Sequence, residues 1–122
     1  MSRLIKAIEN PYTRILGHPT SRLLLARPGY PIDHRKVIDA CAANGVAMEL
    51  NANPLRLDID YRWMDYCMEK EVWVSINPDA HSRSQVDLVK DGVYAARKGG
   101  LKASSCLNAK SLEEFERWLS KS

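Results

Sequence analysis

Three short apolar runs separated by amphipathic stretches restrict this chain more than any other feature. Ile15-Leu16-Gly17-His18-Pro19, Val46 to Leu50 and Val72 to Ile76 read as buried strands. Between the first two, Thr20 to Pro31 reads as a long loop punctuated by Pro28-Gly29. Asp33 then caps a helix that runs through Asn44. Val37, Ile38, Cys41 and Ala42 face inward on it, and Gly45 supplies a left-handed stop. Asp60 caps a second helix, Tyr61 to Lys70, with Met64, Cys67 and Met68 as its inner face. Ser82 and Gln85 fit a capping box, S-x-x-Q, opening a helix that Gly92 closes, and Val93 to Ala96 reads as a short fourth strand. Cys106-Leu107 falls on a helical turn. Ser111 and Glu114 form a second box for the last helix, with Leu112, Phe115 and Leu119 inward. At the other end Ser2 caps a short helix, Arg3 to Glu9, with Leu4, Ile5 and Ile8 on one face, ended by Asn10-Pro11.

The order β-α-β-α-β-α-β-α predicts an α/β fold with a parallel sheet and right-handed crossovers. It fits an open doubly wound sheet or part of a (β/α) barrel. A full barrel takes about 250 residues, and this chain has 122. With 45% hydrophobic residues, 1–122 suits a single domain. No apolar run approaches the roughly 20 residues of a membrane span, and MSRLIKAIEN lacks the apolar core of a secretory signal. Three widely spaced cysteines suggest buried thiols in a reducing cytoplasm rather than a disulfide frame or a thiolate zinc site. The balance of 18 Lys+Arg against 15 Asp+Glu permits a phosphate-bearing substrate without arguing for one.

Polar residues gather where the strands end. His18 ends the first, Asn51 and Asn53 follow the second, and Asp79 and His81 follow the third. In parallel α/β proteins those ends share one face, where sites form. In extended backbone Asp79 and His81 would project to the same side, toward one ion. Carboxylate with imidazole suits zinc, manganese or iron. Two such ions could clamp a phosphoryl group and acidify a bound water. A capping role for Asp79 and a surface role for His81 are the plainer alternative. Asn51 and Asn53 suit either substrate hydrogen bonds, the orientation of a ligand, or turn chemistry before Pro54. Glu49 points toward a barrel interior or a salt bridge. Arg22, Arg27, Arg56 and Arg97-Lys98 suit phosphate contacts or solvated surface, with Arg22 favoured by its place four residues beyond His18. His34, at a helix start, looks solvated and carries no site role.

Taken together, Ile15-Leu16-Gly17-His18-Pro19-Thr20-Ser21-Arg22, Glu49-Leu50-Asn51-Ala52-Asn53-Pro54 with Arg56-Leu57-Asp58, and Ile76-Asn77-Pro78-Asp79-Ala80-His81-Ser82 resemble the last three motif blocks of the PHP (polymerase and histidinol phosphatase) domain. The match is to the form found in bacterial family X DNA polymerases, and it extends over nearly the whole chain. The resemblance implies the C-terminal part of a distorted (β/α)7 barrel. It implies divalent metal ions, manganese or zinc with iron a further candidate, held in part by His18, Asp79 and His81. It implies phosphoesterase work of the 3'-5' exonuclease type, with DNA as partner of the full-length parent. Arg22, Asn51, Asn53 and Arg56 are inferred as substrate contacts from their positions and are not carried over from the family. The family's opening H-x-H strand, a middle histidine, a metal-bridging glutamate and a further histidine have no counterpart here. Pro78 stands where threonine is usual, Ser21 where glycine is usual, and Glu71 where glycine would more naturally stop a helix. Met1 reads as an internal methionine of a longer protein or a fragment boundary. The isolated chain is therefore expected to be inactive and to self-associate across exposed sheet edges. Two other readings stand beside this one: a PHP phosphatase acting on a small phosphate ester, and a non-enzymatic α/β binding or assembly domain.

Overall fold

A computed structural model describes residues 2–20, 22–24 and 31–120. Ser21, Arg27 and the Pro28-Gly29 turn lie outside the described residues. The elements are α1 (Ser2–Glu9), β1 (Ile15–Leu16), α2 (His34–Asn44), β2 (Ala47–Asn51), α3 (Met64–Glu69), β3 (Val74–Asn77), α4 (Val89–Lys98) and α5 (Leu112–Leu119). The 3-10 turns Tyr61–Trp63 and Arg83–Leu88 lead into α3 and α4. The three strands form one parallel sheet in the order β1-β2-β3, with Ile15 opposite Ala47, Met48 opposite Val74 and Asn51 opposite Asn77.

Alternation along the strands divides the sheet into two unlike faces. Met48, Leu50, Val74 and Ile76 join Val37, Ile38 and Cys41 of α2, Met64 and Cys67 of α3, and Ile8 of α1 in one buried core. Ile15, Glu49, Ser75 and Asn77 lie at the alternate positions, and this second face is largely polar. Cys41 and Cys67 are buried and form no disulfide with each other, and desolvation, reinforced by Cys41, pushes the Cys67 thiol up to about 12. That suits an inert core role. Among the described residues no helix is long and apolar enough to cross a membrane.

The expected caps form at Asp33, which accepts from the Lys36 amide, at Asp60, which accepts from the Arg62 amide, and at Gly45, whose φ is 65°. The Ser111–Glu114 box is also present. Four expectations need correction. Val93 to Ala96 is not a strand but the middle of α4. Gly92 does not end a helix either; it lies inside α4, where a Cβ would sit 2.5 Å from the Ala52 Cβ and 2.6 Å from Ile76 Cγ2. Its missing side chain lets the helix seat on the sheet, and Ala96, one turn on, is buried beside it. Ser82 makes no side-chain cap; Gln85 Oε1 accepts the His81 amide instead, at 2.7 Å. Leu112, 72% exposed, does not face inward, and Ala42 and Leu119 are exposed as well.

The outer edge of β3 is occupied. The Asn108 side-chain amide accepts from the Ile76 N–H at 2.7 Å and donates to the Ile76 carbonyl at 2.9 Å, replacing a strand partner. Val74 bridges Cys106 beside it. β1 lies at the opposite edge of the sheet, with Ile15 exposed.

Two stability predictions follow from backbone geometry. Glu71 is exposed with φ 59°, a left-handed conformation that costs an L side chain about 1–2 kcal/mol. Glu71→Gly should stabilise the chain by about 0.5–1 kcal/mol after the added freedom of the unfolded chain is deducted. Urea denaturation measures this, and an unchanged or lower midpoint would contradict it. Gly92→Ala should lower stability by about 1–2 kcal/mol, since overpacking outweighs the gain in helix propensity. A Gly92→Ala chain at least as stable as wild type would mean that α4 is not seated this closely.

Candidate functional site

The polar residues of the strand ends converge through hydrogen bonds. Glu49 near the end of β2 is the centre. Its Oε1 accepts the His18 backbone N–H at 2.9 Å, and its Oε2 accepts Asn77 Nδ2 at 2.8 Å. Asn51 Nδ2 lies 3.5 Å from the same Oε1 and donates to Asp79 Oδ2 at 3.2 Å. Ser75 Oγ donates to Asn77 Oδ1 at 2.9 Å. One continuous network therefore joins β1, β2, β3 and the segment after β3. Sequence reasoning left Glu49 undecided between an interior and a salt bridge; it faces the polar side of the sheet and its hydrogen-bond donors are amides.

Asp79 and His81 are not presented as an extended pair. β3 ends at Asn77, and Asp79 has φ 53°, in the left-handed region that aspartate tolerates better than most residues. Its carboxylate turns to Asn51 and to Arg56, whose Nε is 3.7 Å from Oδ2. His81 Nδ1 lies 2.8 Å from the Asp79 carbonyl oxygen. A carbonyl only accepts, so Nδ1 is the donor in this contact, which leaves Nε2 as the nitrogen a neutral ring would offer to a ligand. A backbone carbonyl orienting the far nitrogen is the usual support of a metal-binding histidine.

The donor types suit manganese, zinc or iron. Among the described residues, however, no group of three or more His, Cys, Asp or Glu side chains is placed to hold an ion. His18, Asp79 and His81 are linked by the network, but these residues alone do not fit a metal ion.

The expected substrate contacts are engaged within the protein. Asn51 is 1% exposed and serves Glu49 and Asp79, so it orients a carboxylate. Asn53 makes turns, donating its backbone N–H to Asn51 Oδ1 and accepting from the Leu55 amide. Arg22 is a clamp: Nε donates to the Arg56 carbonyl at 2.7 Å, Nη2 to the Leu57 carbonyl, and Nη1 meets Asp60 Oδ2 at 3.2 Å. These bonds engage three of its five N–H donors and tie it to the backbone and carboxylate of the segment from Arg56 to Asp60. Arg97 and Lys98 end α4, and Lys98 Nζ lies over the Tyr61 ring at 4.7 Å, far along the chain from the strand ends.

Asp58 was quoted in the motif without a role and proves structural. It is fully buried. Its Oδ2 accepts the Thr20 N–H at 3.1 Å and Oγ at 2.8 Å, while Oδ1 has no hydrogen-bond partner among the described residues. Asp60 accepts from both Arg62 and Arg22, and the Arg62 guanidinium above all holds its carboxyl well below the ordinary range. His34 is not solvated as its position suggested. It stacks on Trp63 at 4.8 Å with the planes 5° apart, and burial pushes its pKa down against the pull of Asp58 and Asp60. An aromatic lying 29 residues later in sequence gave no local signal of that contact.

No family model matches the chain. It is 42% identical over 119 residues to the DNA polymerase/3'-5' exonuclease PolX of Bacillus subtilis (strain 168), an alignment covering 98% of this chain and 21% of that protein. It is 29% identical over 112 residues to a probable phosphatase of Thermoanaerobacter sp. (strain X514), covering 86% of this chain and 43% of the other. Over 48 residues, 39% of this chain and 16% of the other, it is 44% identical to a probable phosphatase of Caldanaerobacter subterraneus. The chain thus spans about a fifth of the polymerase and less than half of either phosphatase. It is a homologue of a segment of the polymerase/exonuclease PolX and of these probable phosphatases, in keeping with the C-terminal part of a PHP domain.

Proposed function

We propose that this chain is the C-terminal portion of a metal-dependent phosphoesterase of the 3'-5' exonuclease type, within a bacterial family X DNA polymerase of the cytoplasm. The parent hydrolyses phosphodiesters in DNA, and the three strands belong to a distorted (β/α)7 barrel. The observation that carries this reading is the network joining His18, Glu49, Asn51, Asn77 and Asp79 across all three strand ends. It lies in a segment shared with relatives named for phosphate-ester cleavage. Manganese, zinc or iron would be held by His18, Asp79 and His81 together with ligands from elsewhere in the parent. No step of hydrolysis is assigned to an ion held by these three alone.

Each residue then has a defined task. Glu49 fixes the backbone at His18, Asn51 aims Asp79, and the Asp79 carbonyl sets the His81 tautomer. Arg22 holds the backbone of residues 56 and 57, and Arg56 is the guanidinium left near the carboxylate. In the full-length parent with manganese, Asp79→Asn or His81→Ala should reduce cleavage of bis-p-nitrophenyl phosphate on the order of 10²-fold. Undiminished cleavage would sink the assignment. The 122-residue chain alone should show no manganese-dependent cleavage, and robust turnover by it would show that further ligands are not needed.

The probable-phosphatase relatives favour a second reading, a phosphatase acting on a small phosphate ester. Faster hydrolysis of the monoester p-nitrophenyl phosphate than of the diester would select it.

The edge of β1, which pairs with no further strand among the described residues and leaves Ile15 exposed, also supports self-association of the isolated chain. Light scattering should give a mass above one chain that rises with concentration. A constant single-chain mass would remove this proposal.

A further inference from the structure

We infer that Asn108 guards the outer edge of β3, acting as a one-residue strand that keeps the β1 edge of a second copy from adding to the sheet there. The inference rests on the reading that isolated chains associate through β1, and it restricts the edges through which they can do so.

Alternate residues of a strand present their peptide groups to the same edge. The Trp73 and Asn77 carbonyls accept the Met48 and Ala52 amides on the β2 side, so Val74 and Ile76 face the outer edge. Both positions are taken. Val74 bridges Cys106, while Asn108 Oδ1 accepts the Ile76 N–H at 2.7 Å and Asn108 Nδ2 donates to the Ile76 carbonyl at 2.9 Å. A side-chain amide carries both the acceptor and the donor of a peptide unit, so it satisfies the edge as a neighbouring strand would. The 3-10 turn Leu107–Ala109 that carries it packs against β3, with Leu107 buried. Its backbone is fixed on both sides, the Cys106 amide donating to the Ala103 carbonyl and the Ala109 amide to the Cys106 carbonyl, each at 3.1 Å. Ile76 immediately precedes Asn77, whose amide holds Glu49, so the guarded edge belongs to the strand that carries part of the site network.

The excluded partner follows from the other side of the sheet. β1 pairs with no further strand among the described residues beyond β2, runs parallel to β3 and leaves Ile15 exposed. A second copy's β1 laid beside β3 would continue the parallel sheet and leave a free edge at each end for the next copy. Such head-to-tail joining grows into rings or filaments, whereas β1 against β1 about a two-fold axis closes at two copies. With the β3 edge occupied by Asn108, the closed pairing is the one that remains.

Light scattering on the 122-residue chain reads the difference. Wild type should level off at two chains, and Asn108→Ala should pass two chains and keep rising with concentration. Asn108→Asp, which keeps the acceptor and loses the donor, should fall between them. A wild-type mass beyond two chains, or an Asn108→Ala curve that coincides with wild type, overturns the inference. A wild type that stays single while Asn108→Ala associates removes the pairing of β1 with β1 and leaves the guard in place. In dilute solution the Ile76 N–H should exchange with solvent about tenfold faster in Asn108→Ala than in wild type. Should neither variant fold, a wild-type Ile76 N–H that exchanges as fast as amides of exposed loops overturns the inference.

Discussion

The Glu49 carboxylate is the interaction on which the rest of the site depends. It is half-buried on the polar face of the sheet, and its donors are a backbone N–H of the segment after β1, an amide at the end of β3 and an amide at the end of β2. An ionised carboxylate accepts several such bonds, each stronger than a bond between neutral groups. Because the donors come from β2, β3 and the segment that follows β1, one side chain sets the relative position of the three ends. The strand register places Glu49 opposite Ser75 and Asn51 opposite Asn77, so the polar rows stack without any shift of the chain. A slip of one residue would turn every one of them into the apolar core.

The loops that follow the strands are locked to one another by a second set of contacts. Asp58 accepts from Thr20, and the Asn51 and Ile59 backbone N–H groups donate to the Asp58 and Glu49 carbonyls. Arg22 closes the arrangement by bonding to carbonyls of residues 56 and 57 and to Asp60. An arginine used in this way carries five fixed donors, which suits it to pinning carbonyls as well as to binding phosphate. Proximity to His18 in sequence made Arg22 the stronger phosphate candidate. The carbonyls that occupy it come from residues more than thirty positions away, and no local pattern announces them.

What was legible in the sequence was whatever periodicity and local capping determine. The parallel order of three strands, the caps at Asp33, Asp60 and Ser111, and the left-handed Gly45 all follow from residues within a few positions of one another. Gly92 and Val93 to Ala96 were misread because glycine has two uses. It ends helices, and it also lets a helix approach a sheet; only the facing Ala52 and Ile76 distinguish these. The Asp79-Ala80-His81 geometry was misread because β3 stops before Pro78, and the extended backbone assumed for it does not reach that far. The convergence of strand ends was foreseeable from topology. The pairing of Glu49 with amides was not, since a glutamate in a strand reads alike whether its partner is a cation, an amide or water.

The two carboxylates of the network differ in a way that separates their roles. Glu49 is compensated by fixed N–H dipoles carried on strands and their immediate ends, and moving those donors means moving the sheet. Asp79 shares one of those amides, but among the described residues its cationic partner is the Arg56 side chain at 3.7 Å with solvent alongside. In water-exposed surroundings such a pair contributes little to stability. Losing that pair therefore costs the fold little, whereas removing the donors of Glu49 would disconnect the strand ends. The Asn51 amide thus bridges a carboxylate that fixes the strand ends and one whose ion pair is long and partly solvated, so the geometry of the site rests on the first and not on the second.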